Sequence, residues 1–111
     1  MRVIIVWVTT KFEAFHRWVN APDDVAFLRS YHRHLFHVKV GMEVTHLNRN
    51  IEFFQFKEKL NIFLAENYES QQMEKSCEMI ANEILLQFDA SFVEISEDGE
   101  NGAIVSNEIV T

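Results

Sequence analysis

Tyr31-His32-Arg33-His34-Leu35-Phe36-His37-Val38 places two histidines one residue apart at the head of a stretch whose side chains alternate in character. His34, Phe36, Val38, Val40, Met42 and Val44 fall on one face. Arg33, His37, Lys39, Glu43 and Thr45 fall on the other. That is the period-2 pattern of a half-buried β-strand, predicted here from His32 to near His46. Next-but-one side chains of a strand lie roughly 6.5–7 Å apart on the same face. The imidazoles of His32 and His34 can therefore aim at one point between and above them, where a divalent ion fits. On a helix the same spacing would turn the two rings in different directions.

Outward from this strand, the chain reads as one domain over residues 1–111. It is 48% hydrophobic and 13% aromatic with a single proline, enough to bury a modest core. Ten basic residues against seventeen acidic ones leave a net charge of -7, which gives no general attraction to nucleic acid. The apolar run Val3 to Val8 is too short for a membrane span and lacks a secretory cleavage signal, so no membrane partner and a cytoplasmic location are expected. The lone cysteine, Cys77, permits no internal disulfide.

The first strand is predicted from about Arg2 to Phe12, continuing through Phe12-Glu13-Ala14-Phe15-His16-Arg17-Trp18 to a histidine at its end. Its segment Val3-Ile4-Ile5-Val6-Trp7-Val8 is apolar on both faces, and two helices in so small a chain can cover only one face of a sheet. A homo-oligomer is therefore expected to cover the other. Asn20-Ala21-Pro22-Asp23-Asp24 supplies turn chemistry, with a short helix over Asp24 to Arg29. If the first two strands pair antiparallel, the end of one lies beside the start of the next, and His16 approaches His32 and His34. Helical spacing of Phe53, Phe56, Leu60, Phe63 and Leu64 predicts a helix from about Glu52 to Asn67. Ser76 can cap a second helix with the stripe Cys77, Ile80, Ala81, Ile84, Leu85 and Phe88, and Ser70 offers a start one turn earlier. Phe92 to Glu97 reads as a third strand, Asp98 to Gly102 as a turn, and Ala103 to Val110 as a fourth strand.

In this order the residues resemble the 6-pyruvoyl-tetrahydropterin synthase and 6-carboxy-tetrahydropterin synthase family. Phe12-Glu13-Ala14-Phe15-His16-Arg17 resembles its F-x-A-x-H segment and His32-Arg33-His34 its H-G-H. Ile51-Glu52-Phe53-Phe54-Gln55-Phe56-Lys57 is similar to I-x-D-F-x-x-L-K, Ser76-Cys77-Glu78-Met79-Ile80-Ala81 to T-S-E-x-x-A, and Val93-Glu94-Ile95-Ser96-Glu97 to V-x-V-x-E. The resemblance implies an α+β tunnelling fold (T-fold): an antiparallel four-stranded sheet of ββααββ order with two helices on one face. It implies zinc held by His16, His32 and His34, and a pterin whose amino and ring N–H groups are anchored by Glu97. The implied activity is that of a zinc-dependent lyase acting on a reduced pterin or related bicycle. The alternative is a module that binds or sequesters a pterin- or purine-like ligand.

The departures bear on catalysis. The family's general-base cysteine sits four residues before the first histidine of the pair, where this chain has Leu28. Its Asp-His proton relay lies between the two helices, where this chain is shorter and has Asn67-Tyr68-Glu69-Ser70-Gln71-Gln72. Arg33 replaces the middle glycine of H-G-H. No catalytic acid or base is assigned from the sequence. His37 points to the opposite face and His46 ends the strand, so neither is expected at the metal. Cys77 on an apolar stripe reads as a small buried hydrophobe. Asp23 and Asp24 read as turn and capping residues.

Overall fold

The computed structural model describes residues 2–107. Five strands and two α-helices succeed one another as β1 (Ile4–His16), β2 (His32–Val44), α1 (Phe53–Asn67), β3 (Gln72–Met73), α2 (Cys77–Phe88), β4 (Phe92–Glu97) and β5 (Asn101–Ser106), with a 3-10 segment at Asp23–Arg29 between β1 and β2. The chain is thus α+β, with strand order β3-β1-β2-β4-β5.

The four longer strands pair antiparallel, β1 with β2, β2 with β4 and β4 with β5. The sheet is nonetheless mixed and five-stranded, which corrects the expected four-stranded antiparallel one. Phe15 and His16 pair in parallel with Gln72 and Met73. Ser70, at a left-handed φ of 62°, turns the chain here and donates its N–H to the Glu13 carbonyl. Two residues then run along the open edge of β1, so α2 cannot start at Ser70. It starts after Ser76, whose hydroxyl accepts from the Met79 N–H. Glu52 caps α1 in the same way, its carboxylate accepting from the Phe54 and Gln55 N–H groups.

The first strand ends at His16, the histidine expected at its end, and two residues on, the Trp18 N–H is taken by the Leu28 carbonyl of the 3-10 segment. Arg29 fastens that segment through two hydrogen bonds to the Ala21 carbonyl and one to Asp23. The last strand starts earlier than expected, at Asn101, because the reversal needs only Asp98 to Glu100. The expected continuation over residues 108–110 lies outside the described residues.

One sheet face carries Val8, Phe12, Ala14, Phe36, Val38, Val40, Val93 and Ile95, all buried against Phe56, Leu60 and Leu64 of α1 and Ile80, Ala81, Ile84 and Leu85 of α2. Both helices lie on this face, as the alternation requires. The histidines and Glu97 share it at the end of the strands where the apolar run stops. The opposite face keeps Trp7 54% and Ile104 65% exposed.

Candidate metal centre

The register sets the site. His16 pairs directly with His32, Ala14 with His34, and Phe36 with Glu97. Side chains on the same face at these neighbouring positions must meet. The ring centroids of His16, His32 and His34 lie 4.6, 4.9 and 5.2 Å apart, with ring planes steeply inclined to one another. Phe36 packs beneath His16 and His34 with its ring edge-on at 5.2 and 5.8 Å. One ligand atom from each of His16, His32, His34 and Glu97 lies within 4.8 Å of the others, so the group could hold a metal ion.

Each imidazole is oriented from behind. His16 Nδ1 lies 3.0 Å from the Lys75 carbonyl, His32 Nδ1 2.9 Å from the Ser30 carbonyl, and His34 Nδ1 2.6 Å from Asp98 Oδ2. Carbonyls and carboxylates only accept, so each Nδ1 must carry the proton. The three Nε2 atoms are then the ones available to a cation, the tautomer that metal-binding histidines need. His16 Nε2 sits 2.8 Å from Glu97 Oε2, and His34 Nε2 is 3.6 Å from the same oxygen. A neutral His16 donating through Nδ1 would set two acceptors face to face at that distance. A positive charge is required between them, either a second proton or a metal ion. The buried His16 and the half-buried His32, His34 and Glu97, with their second partners, therefore fit a cation.

Asp98 was read in the sequence only as turn chemistry. Asp98 and Gly99 both have positive φ, 56° and 73°, and the Glu100 N–H returns to the Glu97 carbonyl, the tight hairpin that an Asp-Gly pair favours. Besides holding His34, Asp98 accepts from the Leu35 N–H through its other oxygen. Hydrogen bonds from His34 and from the Leu35 N–H hold its carboxyl below the ordinary aspartate range. The register of Phe36 with Glu97 would have pointed to it, since the residue that follows β4 must reach Leu35.

Beside the centre lies a cleft of about 530 Å³. Its walls include Arg17, Trp18, Leu28, Lys75, Cys77 and Asn101, together with His16, His32 and Glu97. Leu28 stands at this wall and offers no proton. Cys77 is buried, and burial, followed by the charges of Glu97 and Glu78, pushes its thiol up to about 12, so it is not a thiolate at neutral pH. Asp23 is engaged with Arg29. In the connection before α2, the Tyr68 hydroxyl and the Lys75 ammonium both donate to Glu83 Oε1, at 2.6 and 2.9 Å. His37 faces away from the centre, and His46 lies beyond the end of β2.

Fold and site together define an α+β protein with an imidazole–carboxylate cluster at the edge of a cleft. No protein-family model matches the sequence, and no curated protein does. Among solved structures, the fold is similar to the crystal structure of an uncharacterized protein from Wolinella succinogenes. The TM-score is 0.76 over 95% of this chain and 99% of that one, at 16% sequence identity. At that identity the likeness concerns the fold. Among the described residues, no helix is long and apolar enough to cross a membrane.

Proposed function

We propose that this chain is a zinc-dependent protein of the tetrahydropterin synthase kind, with a T-fold, whose cleft takes a reduced pterin or a related bicycle. The observation that carries the reading is the convergence of His16, His32, His34 and Glu97 within 4.8 Å beside an open cleft. Three imidazoles and a carboxylate are the nitrogen and oxygen donors that zinc accepts, and three protein nitrogens are the usual set where the ion acts on a substrate. Bound zinc supplies Lewis acidity toward a side-chain oxygen of the ligand. Glu97 accepts a pair of parallel N–H groups from the ring, which charge-assisted hydrogen bonds make a selective contact. Arg17 adds a donor at the wall, since its Nε is buried without a hydrogen-bond partner among the described residues.

Binding without turnover is the second reading, and the cleft wall favours it. Neither Leu28 nor a protonated Cys77 supplies a base at this wall near neutral pH, and positioned proton transfer is typically worth about 10²–10⁴ in rate. The chain also associates with copies of itself through the sheet face that the helices leave uncovered.

Metal analysis of purified protein tests the site: about one zinc per chain is expected, lost in His32→Ala. Protein without stoichiometric metal, or with undiminished metal in that variant, would remove the proposal. Incubation with 7,8-dihydroneopterin triphosphate then separates the two readings. Product abolished by His34→Ala marks an enzyme, and tight binding without product marks a binding module.

A further inference from the structure

Glu97 stands between two possible clients, the imidazole cluster on one side and the cleft on the other. Its Oε2 lies against His16 Nε2 at 2.8 Å and within 3.6 Å of His34 Nε2, on the metal side of the cluster. Its Oε1 accepts the Asn101 amide at 2.9 Å, and Asn101 stands at the cleft wall. The carboxylate is thus held broadside between the imidazoles and Asn101, with one contact already on each oxygen. Two parallel N–H groups need both oxygens at once. A cation bound by the three Nε2 atoms has Oε2 within reach as a fourth donor.

We infer that Glu97 is a displaceable fourth ligand. With the cleft empty it closes the metal's coordination shell, and a ring bearing a 2-amino group beside a ring N–H draws it away and opens the metal to water or to the ligand's own oxygen. Access to the metal is therefore coupled to recognition of the ring. A ring that presents a carbonyl in place of the amino group sets an acceptor against the carboxylate and leaves the metal closed. The inference rests on the proposed metal site, and adds to it that one residue reports ligand identity to the ion.

Loading with Co(II), whose visible absorption reports coordination, tests this without any turnover. The unsubstituted protein should give the intense band of a four-coordinate ion. Neopterin, with its 2-amino group, should change that band, and the lumazine that bears the same trihydroxypropyl side chain but a carbonyl in place of the amino group should not. Glu97→Gln should start from an altered band, bind Co(II) at least about tenfold more weakly, and no longer respond to neopterin. Asn101→Ala loosens only the tether, so it should retain the band and respond at lower neopterin concentration; it also serves if the Glu97 variant does not fold. A Glu97→Gln protein with the same cobalt spectrum and affinity as its parent would overturn the inference while leaving the metal site standing. An unsubstituted protein that binds no cobalt or zinc would overturn both. A neopterin response matched by that lumazine would also overturn it, because the ring edge would then not be what moves the carboxylate.

Discussion

Asp98 shows how a residue chosen by a turn acquires a second task. The hairpin requires positive φ, which aspartate tolerates better than most residues, and the side chain so placed reaches His34 Nδ1 at 2.6 Å. Partners of this kind fix the orientation of a metal-binding ring, and their loss typically costs about 10–100-fold in metal affinity. Asp98→Gly keeps the φ of 56° accessible while deleting the carboxylate, so it isolates this effect from backbone strain. Zinc affinity, measured by competition with a chelator, should fall within that range; an unchanged value would show that the strand alone orients His34. The pH dependence has a definite sign. A carboxyl held below its ordinary value contributes above the unfolded pKa of about 3.9 and loses that contribution as pH falls through the folded value. The Asp98–His34 contact therefore persists through mildly acidic pH. The three histidines were legible in the sequence because spacing and antiparallel pairing alone bring them together. Asp98 was not, because its role depends on a register that only the paired strands fix.

At the scale of elements, the β4–β5 hairpin carries Glu97 and Asn101 into the cleft, and Gly102 allows it to close. A Cβ at Gly102 would sit 2.0 Å from the Ile95 carbonyl oxygen, a backbone atom that no side-chain rotation can move. Gly102→Ala should therefore separate the two strands locally and cost about 1–3 kcal/mol in denaturant unfolding, typical of overpacking. It should also weaken zinc binding, because Ile95 lies two residues before Glu97 on the same face. Normal stability in this variant would mean that the hairpin relaxes freely. The connection between the helices behaves differently. Tyr68 is buried, and its hydroxyl donates to Glu83, which burial would raise but which the hydrogen bonds from Tyr68 and Lys75 and the lysine charge bring below its ordinary range. Tyr68→Phe should cost about 0.5–1.5 kcal/mol, since Glu83 retains Lys75 and solvent. Helices α1 and α2 were legible because each has an apolar stripe and an acceptor side chain at its start. Strand β3 was not, since Gln72 and Met73 have no pattern of their own and are strand only because the edge of β1 is open beside them.

For the whole molecule, the helices account for one face of the sheet and leave the other. That second face presents Trp7, with Lys39 over its ring at 4.2 Å, and the largely exposed Ile104 toward the opposite edge. Among the described residues, strand β5 has no strand partner on its outer side, so the exposed Ile104 and unpaired backbone groups lie together at that margin of the sheet. The expectation of self-association came from the unbroken apolar run of the first strand, and the exposed Trp7 gives it a location. Light scattering at micromolar concentration should return a multiple of 13.1 kDa. A large, exposed aromatic on such a face is the kind of side chain that carries binding energy when covered. Trp7→Glu should shift the assembly midpoint at least about tenfold toward higher concentration, equivalent to roughly 1.4 kcal/mol. All four donors of the metal centre come from a single chain and lie on the opposite face from Trp7, so the dissociated variant should still bind about one zinc. A monomeric mass for the unsubstituted protein would remove the proposed assembly, whereas loss of zinc on dissociation would mean that a second copy completes the site.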